Sequence, residues 1–187
     1  MRTFFLITYH LFGSWNSIGY RLASKIDGWV PGPARMPISD STQMLIDGPG
    51  GSGLTSFVQY IEKWNPDFCL AHHNHSGYLY RLAKKRDIPA ICITRELSAS
   101  VRSLKSRYPA SNKLIVPHLR FFSVLACANL SNAFFTSFDE IVYDPRNVVK
   151  QINQRFNLNL NPGDGIMPHE RPMHPDLIDS YSFAKAN

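Results

Sequence analysis

No apolar stretch in this 187-residue chain is long enough to cross a bilayer. The run Phe4-Phe5-Leu6-Ile7 is among the longest, whereas a spanning helix needs about 20 apolar residues. No basic segment with a cleavable apolar stretch precedes that run, so the chain reads as cytoplasmic. Cysteine is scarce as well. Cys69, Cys92 and Cys127 are odd in number, sit in apolar surroundings and have no metal-type spacing, which excludes a disulfide framework and reads as buried free thiols. There is no internal repeat and no low-complexity tract. Acidic residues are in deficit, giving a net charge of +6. Arg81, Lys84, Lys85, Arg86, Arg95, Arg102, Lys105 and Arg107 face only Asp87 and Glu96 in one segment, and that local excess equals the whole net charge of +6. Such a segment is either a solvated face or an attractor for an anionic ligand.

What is present suits one α/β domain over residues 1–187, with a core at about residues 4–156 and a Pro-rich covering tail or lid over residues 157–187. Hydrophobic residues make up 44% of the chain and aromatics 12%, enough for a packed core rather than extended disorder. Residues 4–26 read as a buried strand, a small-residue loop holding Gly13, Ser14, Asn16 and Ser17, and an amphipathic helix. Free N–H groups and the positive dipole end at such a helix start form an anion cradle.

Residues 27–53 are rich in Pro and Gly and read as pocket-shaping loops around a short strand at residues 43–46. Within them, Gly48 to Thr55 follows the spacing of a phosphate-binding Gly-x-x-x-x-Gly-Lys-Ser/Thr loop, but leucine stands at the lysine position. With that charge missing and Pro49 removing an N–H, the stretch reads as a plain flexible turn ahead of a helix over residues 54–64. A regular alternation follows: strand 68–71, helix 77–86, strand 88–94, helix 97–108 with Leu97, Val101, Leu104 and Tyr108 as its buried stripe. A helix over residues 116–128, a strand over 133–137 and a helix over about 146–156 complete the series, the last with Asp144 as N-cap and Pro145 at its first position. Alternating strands and helices with short connections imply a parallel sheet with helices on its faces. Ligands then bind beyond the carboxyl ends of the strands, where His10 to Ser14, His72 to Ser76 and Arg95 emerge.

Arg95 ends a strand and Ser103 follows eight residues later in the next helix. Together with the text ICITRELSASVRSLKSRYP, this pair resembles the nucleotide 3′-phosphate site of the sulfotransferase family, which has a P-loop-like fold and uses 3′-phosphoadenosine 5′-phosphosulfate. A planar guanidinium fork and a hydroxyl donor match a phosphate. Thr8 to Trp15 is similar to the family's Thr-Tyr-Pro-Lys-Ser-Gly-Thr-Thr loop, and Phe138-Asp139-Glu140-Ile141 to its Tyr-Glu-Asp-Leu segment. The resemblance covers about residues 4–156 and implies transfer of a sulfuryl group to an acceptor hydroxyl or amine, with 3′,5′-adenosine diphosphate as product. It implies that Gly13, Ser14, Trp15, Asn16 and Ser17 hold the 5′-phosphosulfate, that Arg95 and Ser103 hold the 3′-phosphate, and that His72 is the general base. Leu11 occupies the family's loop cation position, so His10 or Arg21 would have to supply that charge. The family's late Arg-Lys-Gly clamp has only Arg171 as a counterpart.

Three other readings stand beside this one. A P-loop-like nucleotide-binding or phosphotransfer protein without sulfuryl transfer accounts for Leu11, and a nucleic-acid-binding module would use residues 81–107. His73 and His75 point to one face of an extended chain, and with His10 they would make a metal site, whereas pocket-mouth polar residues are the simpler reading; no metal is expected. Asp139 and Glu140 diverge on an extended chain and suit buttressing of the sheet end better than paired acid–base chemistry.

Overall fold

In the computed structural model, residues 36–107 and 132–167 are described. The strand, loop and helix read at residues 4–26, with His10, Gly13, Ser14, Trp15, Asn16 and Ser17, lie outside the described residues, as do the helix at 116–128, Cys127 and Arg171. The elements run β1 (Met44–Asp47), α1 (Leu54–Trp64), β2 (Leu70–His72), α2 (Gly77–Lys85), β3 (Ala90–Thr94), α3 (Leu97–Arg107), β4 (Ala133–Ser137), α4 (Phe138–Tyr143) and α5 (Pro145–Phe156). No helix among the described residues is long and apolar enough to cross a membrane.

All strand pairs are parallel, in the order β2-β1-β3-β4. The sheet is buried on both faces, which is why β1 reads as an uninterrupted Met-Leu-Ile run without alternation. Met44, Ile46, Ile91 and Ile93 point to one face and pack with Phe57 and Ile61 of α1 and Val149 and Ile152 of α5. Leu45, Ala71, Ala90 and Cys92 point to the other and pack with Leu79, Tyr80 and Ala83 of α2. Leu54, Phe57, Val58 and Ile61 give α1 its buried stripe at i, i+3, i+4 and i+7. Each such side chain contributes about 1.5–3 kcal/mol on burial, and Phe57, fully enclosed, would cost about 3–5 kcal/mol as alanine.

Most elements follow the sequence pattern, and the departures have local causes. Phe138–Tyr143 is a helix in place of the expected continuation of extended chain. It is started by a capping box: Ser137 Oγ accepts from Glu140 N at 3.1 Å, and Glu140 Oε2 accepts from Ser137 N at 2.6 Å. Glu140 therefore does buttress the sheet end, and these bonds hold its pKa below the ordinary carboxylate value. Cys69 is exposed rather than buried, because β2 starts only at Leu70; Cys92 is buried as expected. In α3, Leu97 is exposed and Val101 and Leu104 only half-buried, with Leu104 against Gly50 and Gly51, while Ser100 is buried; Tyr108, the last residue of the expected stripe, lies outside the described residues. Asp144 caps α5 by accepting from Asn147 N at 3.0 Å, with Pro145 at the first position.

Residues 158–167 strap the outer side of α1. Asn153 exchanges two bonds with the Leu160 backbone, at 2.8 and 2.9 Å, and Asn65 brackets Asn161 in the same way at 3.2 and 2.7 Å. Tyr60 donates to Pro162 O at 2.5 Å and accepts from Gly165 N at 3.0 Å. Leu160 and Met167 are buried beneath these bonds.

Candidate functional site

Because the strands are parallel, their carboxyl ends share one edge, where they end at His72, Asp47, Thr94 and Ser137; Thr94 and Ser137 are paired, while Asp47 lies opposite Cys92 and His72 opposite Ile46, so the edge is staggered. From central β1 the chain goes to β2 through α1 on one face, then back across β1 to β3 through α2 on the other. This reversal makes the end of β1 the topological switch point, the position where such sheets bind ligands.

Gly48 to Gly53 occupies that position. The stretch is pinned on several sides and is not the plain flexible turn expected from its missing lysine. Asp47 is fully buried, and its carboxylate accepts from Gly48 N at 3.0 Å, His75 N at 3.0 Å and Ser76 N at 3.2 Å. Burial pushes its pKa above the ordinary value, against the pull of His75 and of the three N–H groups. One carboxylate thus fastens the loop after β1 to the loop after β2. Pro49, rather than weakening the loop, closes a turn in which its carbonyl accepts from Ser52 N at 3.2 Å. A Cβ on Gly48 would lie 2.6 Å from Ile93 O, so the backbone approaches β3 where no side chain fits. Gly53, at φ +83°, hands the chain into α1 from the left-handed region that favours glycine.

The pair read as a phosphate site meets this loop. Arg95, just past β3, donates from Nη1 to Gly51 O at 3.0 Å, and its guanidinium lies 3.9 Å over the Phe138 ring. Ser103 Cβ would stand 3.4 Å from a Cβ on Gly51, and Ser100 O 3.0 Å from it. Glu96 caps the start of α3 by accepting from Ser98 N and Ala99 N, each at 2.8 Å. Two buried hydroxyls, Ser52 Oγ in the loop and Ser100 Oγ on the facing helix, have no hydrogen-bond partner among the described residues. Buried unpartnered donors beside a glycine loop fit an anionic group. The basic segment divides: Arg81, Lys84, Lys85 and Arg86 lie exposed on or just after α2, with Arg86 3.4 Å from Asp40, while Arg95 turns to the loop.

The loop after β2 is not extended. His73 and His75 have φ of +59° and +48°, so the one-face arrangement expected of them does not form, and their ring centroids lie 6.3 Å apart. Such backbone conformations cost about 1–3 kcal/mol each in non-glycine residues. Bonds on both sides hold them: Asn74 Nδ2 donates to His72 O at 2.8 Å and Met36 O at 3.0 Å, and His75 Nδ1 lies 2.7 Å from Gly48 O. The turn brings His73 Nε2 to 2.9 Å from Thr55 Oγ1 in the first turn of α1. His73 Nδ1 in turn lies 2.7 Å from His72 Nδ1, and His72 Nε2 lies 3.4 Å from Glu62 Oε1. His72 is buried with both ring nitrogens engaged, and burial lowers its pKa against the opposing pull of Glu62 and Asp47. Of the three imidazoles, that of His75 meets the loop at Gly48 O and that of His73 meets the start of α1 at Thr55, while His72 lies behind His73.

The structure brings His72, Arg95 and Ser103 to one edge of the sheet; His10 and residues 13–17 lie outside the described residues. Sequence reasoning left Ser52, Thr55, Glu62 and Ser100 out of the site. For Thr55 the signal was available in the Gly-x-x-x-x-Gly-Leu-Thr spacing, whereas nothing in one dimension pairs Glu62 with His72.

No protein-family model matches the sequence, and no curated protein does. Among solved structures, a crystal structure of a sulfotransferase from Alicyclobacillus acidocaldarius aligns with 80% of this chain and 92% of that one, at 13% identity and a TM-score of 0.47.

Proposed function

We propose that the protein is a sulfotransferase that moves a sulfuryl group from 3′-phosphoadenosine 5′-phosphosulfate to an acceptor hydroxyl or amine, releasing 3′,5′-adenosine diphosphate. The observation that carries this reading is the meeting of Arg95 and Ser103, eight residues apart in sequence, against Gly51 of the loop that ends the central strand. In this reading Gly48 to Thr55 takes the cradle role read at residues 13–17, with the loop's backbone amides and the start of α1 facing the 5′-phosphosulfate. Arg95 and Ser103 hold the 3′-phosphate, and the unpartnered Ser52 hydroxyl donates to the bound anion. The bound donor supplies an activated sulfuryl group.

Leu54 stands where nucleotide-binding loops carry lysine, so Arg95 provides positive charge at the loop instead. The His72–His73 pair takes the acceptor's proton, with His73 nearer the loop. The test is a transfer assay with labelled phosphosulfate donor across phenol, glycan, lipid and peptide acceptors. Label transfer to one class, lost in Arg95→Ala, is the expected result. Inactivity on all of them, with ATP stabilising the protein more than 3′,5′-adenosine diphosphate does, would favour the phosphotransfer reading.

A further inference from the structure

Four side chains form a continuous hydrogen-bonding line from the glycine loop to the surface: Thr55 Oγ1, the His73 ring, the His72 ring and Glu62 Oε1, with separations of 2.9, 2.7 and 3.4 Å. The inner rings are enclosed, His73 at 5% and His72 at 7% relative exposure, whereas the Glu62 side chain is 49% exposed. A line of this kind has a direction when one end can only accept, and a carboxylate can only accept.

Glu62 fixes the proton positions in turn. His72 carries its proton on Nε2 and donates it to the carboxylate, which leaves Nδ1 bare. The short Nδ1···Nδ1 contact holds a single proton, so it belongs to His73, and His73 Nε2 is the bare nitrogen facing Thr55. The Thr55 hydroxyl must then donate. The reversed order also puts one proton between the two Nδ1 atoms, but it sets the bare His72 Nε2 against the Glu62 carboxylate at 3.4 Å, lone pair to lone pair.

We infer that Glu62, His72 and His73 form a directional relay that keeps His73 Nε2 unprotonated toward Thr55, so that the Thr55 hydroxyl passes a proton out of the loop. Glu62 and His72 are positioning residues and act through His73. In use, Thr55 hands its hydroxyl proton to His73 Nε2 and takes the proton of the acceptor's O–H or N–H in its place. The O–H bond of Thr55 is broken and remade, and His73 becomes an imidazolium whose Nδ1–H stays bonded to His72 Nδ1. Once the product has left, the imidazolium returns its Nε2 proton to Thr55 Oγ1 as the Thr55 hydroxyl releases its own proton to water at the loop. The order of protons along the line is independent of the reaction; its use in sulfuryl transfer rests on the function proposed above.

The experiment is histidine-selective ¹⁵N labelling of the full chain, with ring-nitrogen shifts read near neutral pH in wild type and Glu62→Gln. The variant changes an exposed side chain and preserves its size. The expected wild-type result is a protonated Nδ1 with a bare Nε2 for His73, and the reverse for His72. In Glu62→Gln the amide can donate as well as accept, so both rings should become tautomeric mixtures. The opposite tautomers in wild type, or populations unchanged by the variant, would overturn the relay. In the transfer assay, Glu62→Gln should lower kcat about tenfold, within the range of general-base effects, with the donor KM unchanged. Full activity in the variant would overturn the catalytic use. The expected tautomers in a wild-type protein inactive on every acceptor would sustain the relay and count against sulfuryl transfer.

Discussion

The loop after β1 is a held structure, and Gly53→Ala is the sharpest way to test that. Gly53 has φ +83°, and a Cβ there would lie 2.5 Å from Cδ2 and 2.8 Å from Cε2 of Phe138. The left-handed backbone costs an alanine about 1–2 kcal/mol, and overpacking against a ring adds about 1–3 kcal/mol. Reduced freedom of the unfolded chain returns about 0.4–1 kcal/mol, leaving a net destabilisation near 3 kcal/mol. Phe138 cannot yield freely, because Arg95 lies on its ring at 3.9 Å; displacing it also displaces the guanidinium from Gly51 O. Gly50→Ala is the matched control. The nearest atoms to its Cβ would all belong to the Leu104 side chain, Cδ2 at 2.9 Å first, and Gly50 is not among the positive-φ glycines. That variant should stay within about 1 kcal/mol of wild type, since a side-chain end can turn aside. Urea denaturation with a common m-value measures both. Equal stability of the two variants would refute the pinned-loop argument and restore the plain flexible turn.

Three further outcomes follow from the same contacts. Tyr60→Phe removes the hydroxyl that joins Pro162 O to Gly165 N and should destabilise by about 1–3 kcal/mol through the unpaired Gly165 N–H, read by denaturant titration. Ser52→Ala removes a buried hydroxyl without a partner among the described residues, so stability should change by less than about 1 kcal/mol while 3′,5′-adenosine diphosphate binds about 5–10-fold more weakly; a large loss of stability with unaltered binding would contradict this. Hydrogen bonds from the Ser98 hydroxyl, Ser98 N and Ala99 N lower the Glu96 pKa from 4.5 to about 2. A depressed carboxylate stabilises above its unfolded pKa, so this contribution is present above pH 4.5 and is lost as pH falls toward about 2. Glu96→Gln should flatten the stability profile in that acid window and nowhere else.

The parallel α/β architecture was legible because helix stripes such as Leu54, Phe57, Val58 and Ile61 repeat at 3.6-residue spacing, and because short apolar runs separate them. The short strand read at residues 43–46 is Met44–Asp47, but its central place in the sheet was not legible. At four residues, fully buried and followed by Gly48-Pro49, it shows neither alternation nor length, and its rank in the sheet depends on pairings invisible along the chain. Its loop was discounted for want of a lysine, although glycines at Gly48 and Gly53 answer to backbone constraints independent of that charge. The α4 helix was missed, yet Ser137-x-x-Glu140 spells its capping box. Arg95 and Ser103 were paired through the resemblance to the sulfotransferase 3′-phosphate site, and in the structure both lie beside Gly51. The choice between His72 and His73 could not be read, since it depends on the left-handed backbone at His73, which turns that ring toward Thr55.

The central claim is that Arg95 and the β1 loop together recognise a nucleotide bearing both 3′- and 5′-anionic groups. The most direct measurement is calorimetric titration of wild type and Arg95→Ala with 3′,5′-adenosine diphosphate and with 5′-AMP. A charge-assisted contact to the 3′-phosphate contributes about 1.5–3 kcal/mol, so wild type should prefer the diphosphate by about 10–150-fold. Arg95→Ala should erase that preference while leaving 5′-AMP affinity nearly unchanged. Equal affinity of wild type for the two nucleotides, or a preference that survives in Arg95→Ala, would contradict the account.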